Sequence, residues 1–313
     1  MEIISSWVGN IPDLAVPFAL AALGLIVTER AGVLALGAEG LMLVGALFGV
    51  GGYLLFDSTG IALLLAMLAA SGVSILFAVM VLVLRINQVI AGLALVFFCQ
   101  GLTALLGILF GWASHPVSGF EAWTLWPLSE LPIVGRLFIQ NPVVYLTPLI
   151  FFAVAIYLNH SMSGLKLRAV GENPQAADAA GIPVLTYRFA AILAGAALIG
   201  LAGAYISVLS TKMWIEDMTG GRGWIAVALV IFARWSPWRA FAGAILFGSI
   251  EALIPQLAAA GVRLPQYFVF MTPYVVTLAV MIWVALPKRD QNKPDQKNQP
   301  DALGEPFIRE ERR

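Results

Sequence analysis

The chain has 313 residues, 60% of them hydrophobic and 12% charged, and its 18 basic and 18 acidic side chains cancel. A soluble domain carries about 25% charged residues, so this composition excludes a water-covered globule and points to lipid as solvent, while zero net charge lends nucleic acid no support as a partner. The single cysteine, Cys99, excludes an internal disulfide, and no Cys/His cluster marks a metal site.

A helix needs about 20 mostly apolar residues to cross the hydrocarbon, and about nine segments approach this, predicting an all-α polytopic bundle over residues 1–287. The first ten residues carry no basic region, so the first apolar segment, 14–28, reads as a retained helix rather than a cleaved signal. Residues 33–56 follow, interrupted only by Glu39, and then the uncharged runs 59–84 and 88–114. A Trp- and Pro-rich loop, 112–140, places Trp112, Trp123 and Trp126 at the headgroup level. Beyond it lie the apolar run 141–159, a polar stretch 161–188, and a second apolar run 189–211. Residues 223–233 cover roughly half a bilayer at 1.5 Å per residue and read as a half-helix. Residues 240–262, interrupted only by Glu251, and 264–287 complete the set.

Lys166, Arg168 and Arg188, Arg234 and Arg239, and Lys288 and Arg289 fall on one side if residues 223–233 cross, together with Arg30 and Arg85. Arg136, Lys212, Arg222 and Arg263 fall on the other. The positive-inside rule then predicts an outside N-terminus and a cytoplasmic C-terminus. From Lys288 onward the chain turns polar and Pro-containing, which predicts a disordered cytoplasmic tail over 288–313.

Within the polar stretch, Asn173 suits an N-cap, Pro174 the first helical position and Gly181 the left-handed C-terminal position, predicting a short helix over 174–180. Its small face, Ala176, Ala177 and Ala180, suits docking of another protein and equally a solvated loop. Glu39 and Glu251 are ionisable groups at membrane depth, where such groups face a cavity or a partner. Glu39 sits in the small-residue stretch 32–40, which suits either a discontinuous helix lining a path or a structural interhelix bond. Asn87, Gln88 and Gln100 are polar and uncharged, fitting a neutral polar solute or helix–helix hydrogen bonds. Gly220-Gly221-Arg222-Gly223 lacks the Lys-Ser/Thr of a phosphate loop. His115 and His160 fall on opposite sides of the predicted membrane, and no nucleophile constellation supports hydrolase chemistry.

Three ordered stretches resemble a known group. They are Thr28-Glu29-Arg30-Ala31-Gly32-Val33 with Gly37 to Leu43, Gly164 to Pro174 with Ala176 to Ile182, and Gly221 to Leu229 with Pro237 and Gly243 to Gly248. Together, over residues 14–287, they resemble the permeases of ABC importers for nucleosides and simple sugars, relatives of the ribose-type and branched-chain amino acid permeases. The resemblance implies a multi-pass subunit of the bacterial inner membrane that forms half of a translocation path and has no ATPase site or cofactor of its own. It implies a related second permease, a cytoplasmic ATP-binding subunit and an extracytoplasmic solute-binding protein as partners. On that reading Glu39, Gln88 and Gln100 line the path, and Gly171, Glu172, Asn173, Pro174, Asp178 and Gly181 form the contact with the ATPase. The main rival is an ion-coupled secondary transporter working through Glu39 or Glu251; a passive channel and an intramembrane enzyme are the others.

Overall fold

The computed structural model describes residues 2–131, 134–259, 261, 271, 275, 278–279, 282 and 299–307. Seven of its helical stretches are long and apolar enough to cross a membrane. In chain order the helices are α1 (Glu2–Glu29), α2 (Ala38–Phe56), α3 (Thr59–Ala78), α4 (Gln88–Leu109), α5 (Pro142–His160), α6 (Met162–Glu172), α7 (Pro174–Ala179), α8 (Val184–Ala204), α9 (Arg222–Ala233) and α10 (Pro237–Ala259). Helix α3 runs on as a π-helix over Val79–Val83, and α8 does so over Tyr205–Ser210. Of the apolar run 264–287, residues 271, 275, 278, 279 and 282 are described and are helical, and the rest lies outside the described residues.

Helices α1, α2 and α8 form the buried centre, with α3 against α8 and α2, α4 against α2, and α10 against α1. Without water to drive association, helices in lipid hold together through close backbone approach at small residues. A side chain at Gly45 of α2 would strike the Gly200 backbone of α8, one at Gly203 of α8 would strike the Met42 backbone, and one at Gly24 of α1 would strike the Gly195 carbonyl. The outer helices keep large apolar side chains exposed, among them Leu68 on α3, Phe97 and Ile108 on α4 and Leu149 on α5. Those faces suit lipid as their solvent.

Local signals set four of the ten helix starts. Asn87, Asn141, Ser161 and Asn173 each accept backbone N–H bonds at the start of α4, α5, α6 and α7, and Pro occupies the first turn of α5 and α7. Other boundaries differ from the apolar runs. Helix α2 begins at Ala38 rather than residue 33, because Gly32 takes a left-handed φ of 83° and the chain leaves the helix over 31–37. Helix α8 begins at Val184 rather than residue 189, so Arg188 is inside a helix and 1% exposed. The polar stretch 161–188 holds two short helices, α6 and α7, where one was expected. In the 112–140 loop, β1 (Trp123–Thr124) pairs antiparallel with β2 (Ile139–Gln140). Trp123 and Trp126 are exposed, whereas Trp112 packs over Gly51 and stacks on Phe110 at 4.7 Å.

The expected tail also departs from a free coil in the part that is described. Residues 299–307 fold back onto the 161–188 end of the bundle, with Ala302 buried and its N–H donating to the Gly171 carbonyl at 3.0 Å. Composition alone hides this, because the hydrogen bonds that anchor the segment are made by its own backbone atoms.

Gly45→Val forces α2 and α8 apart and should lower the midpoint of thermal unfolding in detergent by an overpacking cost of about 1–3 kcal/mol. Gly72→Ala on α3 meets open space and should leave it unchanged or slightly raised. Equal midpoints for the two variants would contradict the packing described.

Candidate functional site

Two interrupted crossings meet inside the bundle. The first is the break after α1. From Gly32 the chain leaves the helix and runs alongside α4 into α2: the Leu34 N–H donates to Gln88 Oε1 at 2.6 Å, Gly92 abuts Leu36, Gly37 abuts Leu95, and Gly40 abuts Val96 and Cys99. Gln88 to Cys99 spans about 16 Å of helix, so α2 starts about halfway along α4. The second is the descent from Ser210. The Val117 N–H donates to the Lys212 carbonyl, the Ser114 N–H to the Trp214 carbonyl, and the Trp214 ring lies against Gly107. The chain then drops to Gln100, where α9 begins. Helix α9 is about 18 Å long. It leads to Trp235, whose indole N–H donates to Glu29 Oε2 at 2.6 Å and whose carbonyl accepts from Arg30. Descent and half-helix together make one crossing.

Glu39 joins the two breaks. Its Oε1 accepts the Thr219 hydroxyl at 2.5 Å and the Gly221 N–H at 2.9 Å, and its Oε2 accepts the Gly223 N–H at 2.7 Å. The first amides of a helix lack intrahelical acceptors and carry the positive end of its dipole. A buried carboxylate from a neighbouring helix satisfies both demands at the start of α9. Gly220 and Gly221 have φ of 56° and 84°, left-handed values that let the chain turn into α9. A side chain at Gly223 would collide with the Glu39 backbone, so only glycine allows this approach.

Next to this clamp lie polar groups that remain accessible. Gln100 Nε2 donates to Asp217 Oδ1 at 3.3 Å, both on the exposed side of the site, and Asp217 itself sits at φ 55°. Arg222, the first residue of α9, pairs with Glu251 of α10 (Nε to Oε1, 3.3 Å; Nη2 to Oε2, 3.4 Å), with side chains 26% and 15% exposed. A further polar node lies at the far end of the bundle. There Asp13 Oδ1 accepts from the Tyr205 hydroxyl at 2.6 Å and from Asn141 at 3.3 Å, while Oδ2 accepts from Ser210 at 3.0 Å.

The residues singled out from sequence therefore divide. Glu39 and Gln88, expected to line a path, are buried and engaged by backbone atoms, Gln88 by Leu34 and by the Glu305 carbonyl. Gln100 is accessible. Asp217, Thr219 and Arg222 were missed because a short polar stretch between apolar runs reads as an outer loop, and only the long-range bonds to Glu39 and Gln100 reveal its depth. Glu251, read as a possible ion carrier, is held by Arg222.

At the 161–188 end, Asn173 Oδ1 accepts the Ala176 N–H at 2.9 Å and caps α7. Pro174 and Ala177 are buried, Ala177 in a small cluster with Val170 and Val184, so the exposed face of α7 is Gln175, Ala176, Ala179 and Ala180 rather than the set expected. Glu172, Asn173 and Gly181 are exposed and Asp178 is half-buried. Gly171 is buried against the Arg30 carbonyl. Burial holds the pKa of the Arg30 guanidinium below its ordinary value, and the neighbouring Glu172 carboxylate opposes this.

A bundle of membrane-length helices, two of its crossings broken around a carboxylate-capped half-helix beside accessible polar groups, is the build of a polytopic transport protein. The chain belongs to the family described as branched-chain amino acid transport system / permease component, whose model matches residues 8–285. It is 39% identical, over 85% of this chain and 88% of the other, to the putative glucose ABC transporter permease protein TsgC13 of Haloferax volcanii. It is 28% identical, over 95% of each chain, to the guanosine ABC transporter permease protein NupQ of Bacillus subtilis. It is 30% identical, over 88% of this chain and 90% of the other, to the nucleoside ABC transporter permease protein NupC of Lactococcus lactis. No solved structure matches it.

Glu39→Gln keeps the volume but turns an acceptor into a donor facing backbone N–H groups, and leaving such a group unsatisfied costs about 1–3 kcal/mol. Thr219→Val removes one donor from a carboxylate that keeps two others, so its cost should be smaller. Thermal unfolding of the two variants should rank Glu39→Gln below Thr219→Val; the reverse order would rule out the clamp.

Proposed function

We propose that this chain is the membrane-spanning permease of an ABC importer in the bacterial inner membrane, taking a nucleoside or simple sugar inward on ATP hydrolysed by a separate subunit. Family membership over residues 8–285 carries the reading. The relatives named for glucose, guanosine and nucleosides support the solute class. Those solutes share vicinal hydroxyls on a furanose or pyranose ring. Such hydroxyls are bound by a carboxylate and an amide side by side, which is what Gln100 and Asp217 offer. Gln100 and Asp217 then line the path, Arg222 and Glu251 border it, and Glu39 and Gln88 act through backbone, holding the two breaks open beside it.

In this reading the 161–188 end is cytoplasmic, and the ATPase seats on α6 and α7 with Gly171, Glu172, Asn173, Pro174, Asp178 and Gly181 at the contact. Two observations support a docked partner there. On the exposed face of α7, Ala176, Ala179 and Ala180 beside Gln175 are small side chains that admit close approach, and Met162 and Leu165 on α6 and Leu185 at the start of α8 are exposed apolar groups. A related second permease completes the path and a solute-binding protein delivers to the opposite face. Closure of the nucleotide-binding units moves α6 and α7, and the helices rotate as rigid bodies between inward- and outward-open states. Solute is carried because it binds the two states with different affinity. The ion-coupled reading is weaker, since the oxygens of Glu39 and Glu251 are occupied by Thr219, two backbone N–H groups and Arg222.

The test is co-purification from native membranes in mild detergent. An ATP-binding subunit should accompany the wild type and be lost from a monodisperse Asn173→Arg, Asp178→Arg variant; absence from both defeats the ABC reading. Gln100→Ala should keep the ATP-binding subunit and raise the half-saturating concentration for guanosine or glucose uptake by about tenfold, the equivalent of one lost hydrogen bond of about 1.4 kcal/mol. Unchanged uptake kinetics would remove Gln100 from the path.

A further inference from the structure

The described part of the tail bonds to four separate elements within a few residues. The Asp301 N–H donates to Glu172 Oε2 at 3.3 Å and the Ala302 N–H to the Gly171 carbonyl at 3.0 Å, both at the end of α6. The Gly304 N–H donates to the Gly32 carbonyl at 3.4 Å, where α1 breaks. The Glu305 carbonyl accepts from Gln88 Nε2 at 3.4 Å, at the start of α4, and from Arg188 Nη1 at 3.1 Å, in the first turns of α8. Leu303 packs on the main core, and Phe307 packs on the cluster of Val170, Ala177 and Val184 that seats α7.

We propose that residues 299–307 are a strap that joins the α6–α7 segment to the broken crossing at Gly32 and Gln88, so that movement of that segment reaches Leu34, Glu39 and the half-helix α9. The inference rests on the reading of α6 and α7 as the ATPase seat. Gly171 already abuts Arg30 directly, and the strap adds a second connection that reaches α4 and α8 as well. Gln88 is the pivot: one end of its amide holds the strap and the other holds Leu34.

The strap is part of the working structure rather than a detachable inhibitor, and Arg188 is the reason. Its guanidinium is 1% exposed, its Nε and Nη2 have no hydrogen-bond partner, and its Nη1 is satisfied by the strap alone among the described residues. Removing the strap takes from this cation its one hydrogen-bond partner among the described residues, which is strongly unfavourable wherever the group stays buried. The docked arrangement is therefore the resting one, and the segment must travel with what it touches.

The experiment uses the full transporter in proteoliposomes, with this chain ending at residue 298, alone and combined with Arg188→Met. Arg188→Met removes the stranded charge, so the double variant separates transmission from stability. Guanosine and glucose uptake and ATP hydrolysis with and without the solute-binding protein are measured. A strap predicts that both shortened chains keep the ATP-binding subunit and basal hydrolysis. Both should lose uptake and binding-protein stimulation by about tenfold or more, the size of a typical coupling between sites. Four results overturn it: full uptake by the shortened chain, faster uptake than wild type, full recovery by Arg188→Met, or a double variant that aggregates. Recovery or aggregation would make the segment a cap on a buried charge or a piece of the fold. If the shortened chain stays monodisperse but loses the ATP-binding subunit, the segment belongs to the docking surface and the strap also fails. Retention of that subunit by the Asn173→Arg, Asp178→Arg variant would instead remove the seat on which the strap rests.

Discussion

Backbone amides have no water to turn to inside a membrane, and every one that leaves a helix must find a partner in the protein. This chain interrupts two crossings, after Glu29 and after Ser210, and so creates helix beginnings at Ala38 and Arg222 deep within the bundle. A single carboxylate on the second residue of α2 meets the exposed amides of α9. The bond works in both directions. Glu39 needs donors to be tolerated where it is buried, and the N-terminus of α9 needs an acceptor and a negative charge. The rest of the site is arranged around that pairing. Glycines at 220, 221 and 223 permit the approach, Thr219 adds a third donor, and Asp217 and Arg222 on either side are brought to the level of Gln100 and Glu251.

The same constraint explains the division of the bundle. Helices α1, α2 and α8 are packed through glycine onto backbone and are mostly buried, so they act as one body. Helices α3, α4, α5 and α10 are mostly exposed and present large apolar side chains outward. The broken segment 31–37 and the half-helix α9 lie where the buried group meets α4 and α10, so the accessible polar pairs face outward from a rigid centre.

Much of this was legible in the amino-acid sequence, and what was not fails for one reason. Apolar runs of membrane length, Asn173–Pro174 at the start of α7 and the short length of 223–233 are local signals, and they gave the bundle, that cap and the half-helix. The small residues of 32–40 marked a discontinuous helix, and there the chain does break. The fate of polar groups depends on partners far away in sequence. Glu39 is bound by residues 180 to 184 positions later, and Gln88 by a carbonyl 217 positions later. No window of hydropathy carries that information, so Glu39 and Gln88 read as path residues, Arg188 as a loop cation and the tail as coil, while Asp217 drew no reading.

The pattern of occupied carboxylates also bears on where energy enters. An ion-coupled carrier needs a carboxylate that exchanges its bound ion each cycle, and such a group must be able to give up its donors. Glu39 would release the start of α9, and Glu251 would strand Arg222 within the bundle; each exchange would dismantle the structure it is meant to drive. On the proposed reading, the described intramembrane carboxylates Glu39 and Glu251 are committed to holding helices, and the chain is moved by a partner outside it. The described surface best suited to that is the 161–188 end, where a capped short helix with a small-residue face stands out from the bundle. From there Gly171 and Glu172 connect, through Gly32 and Gln88, to the segment that leads to Glu39. On the proposed reading, the polar residues hidden in the membrane transmit force, and recognition of solute falls to the few that remain exposed beside them.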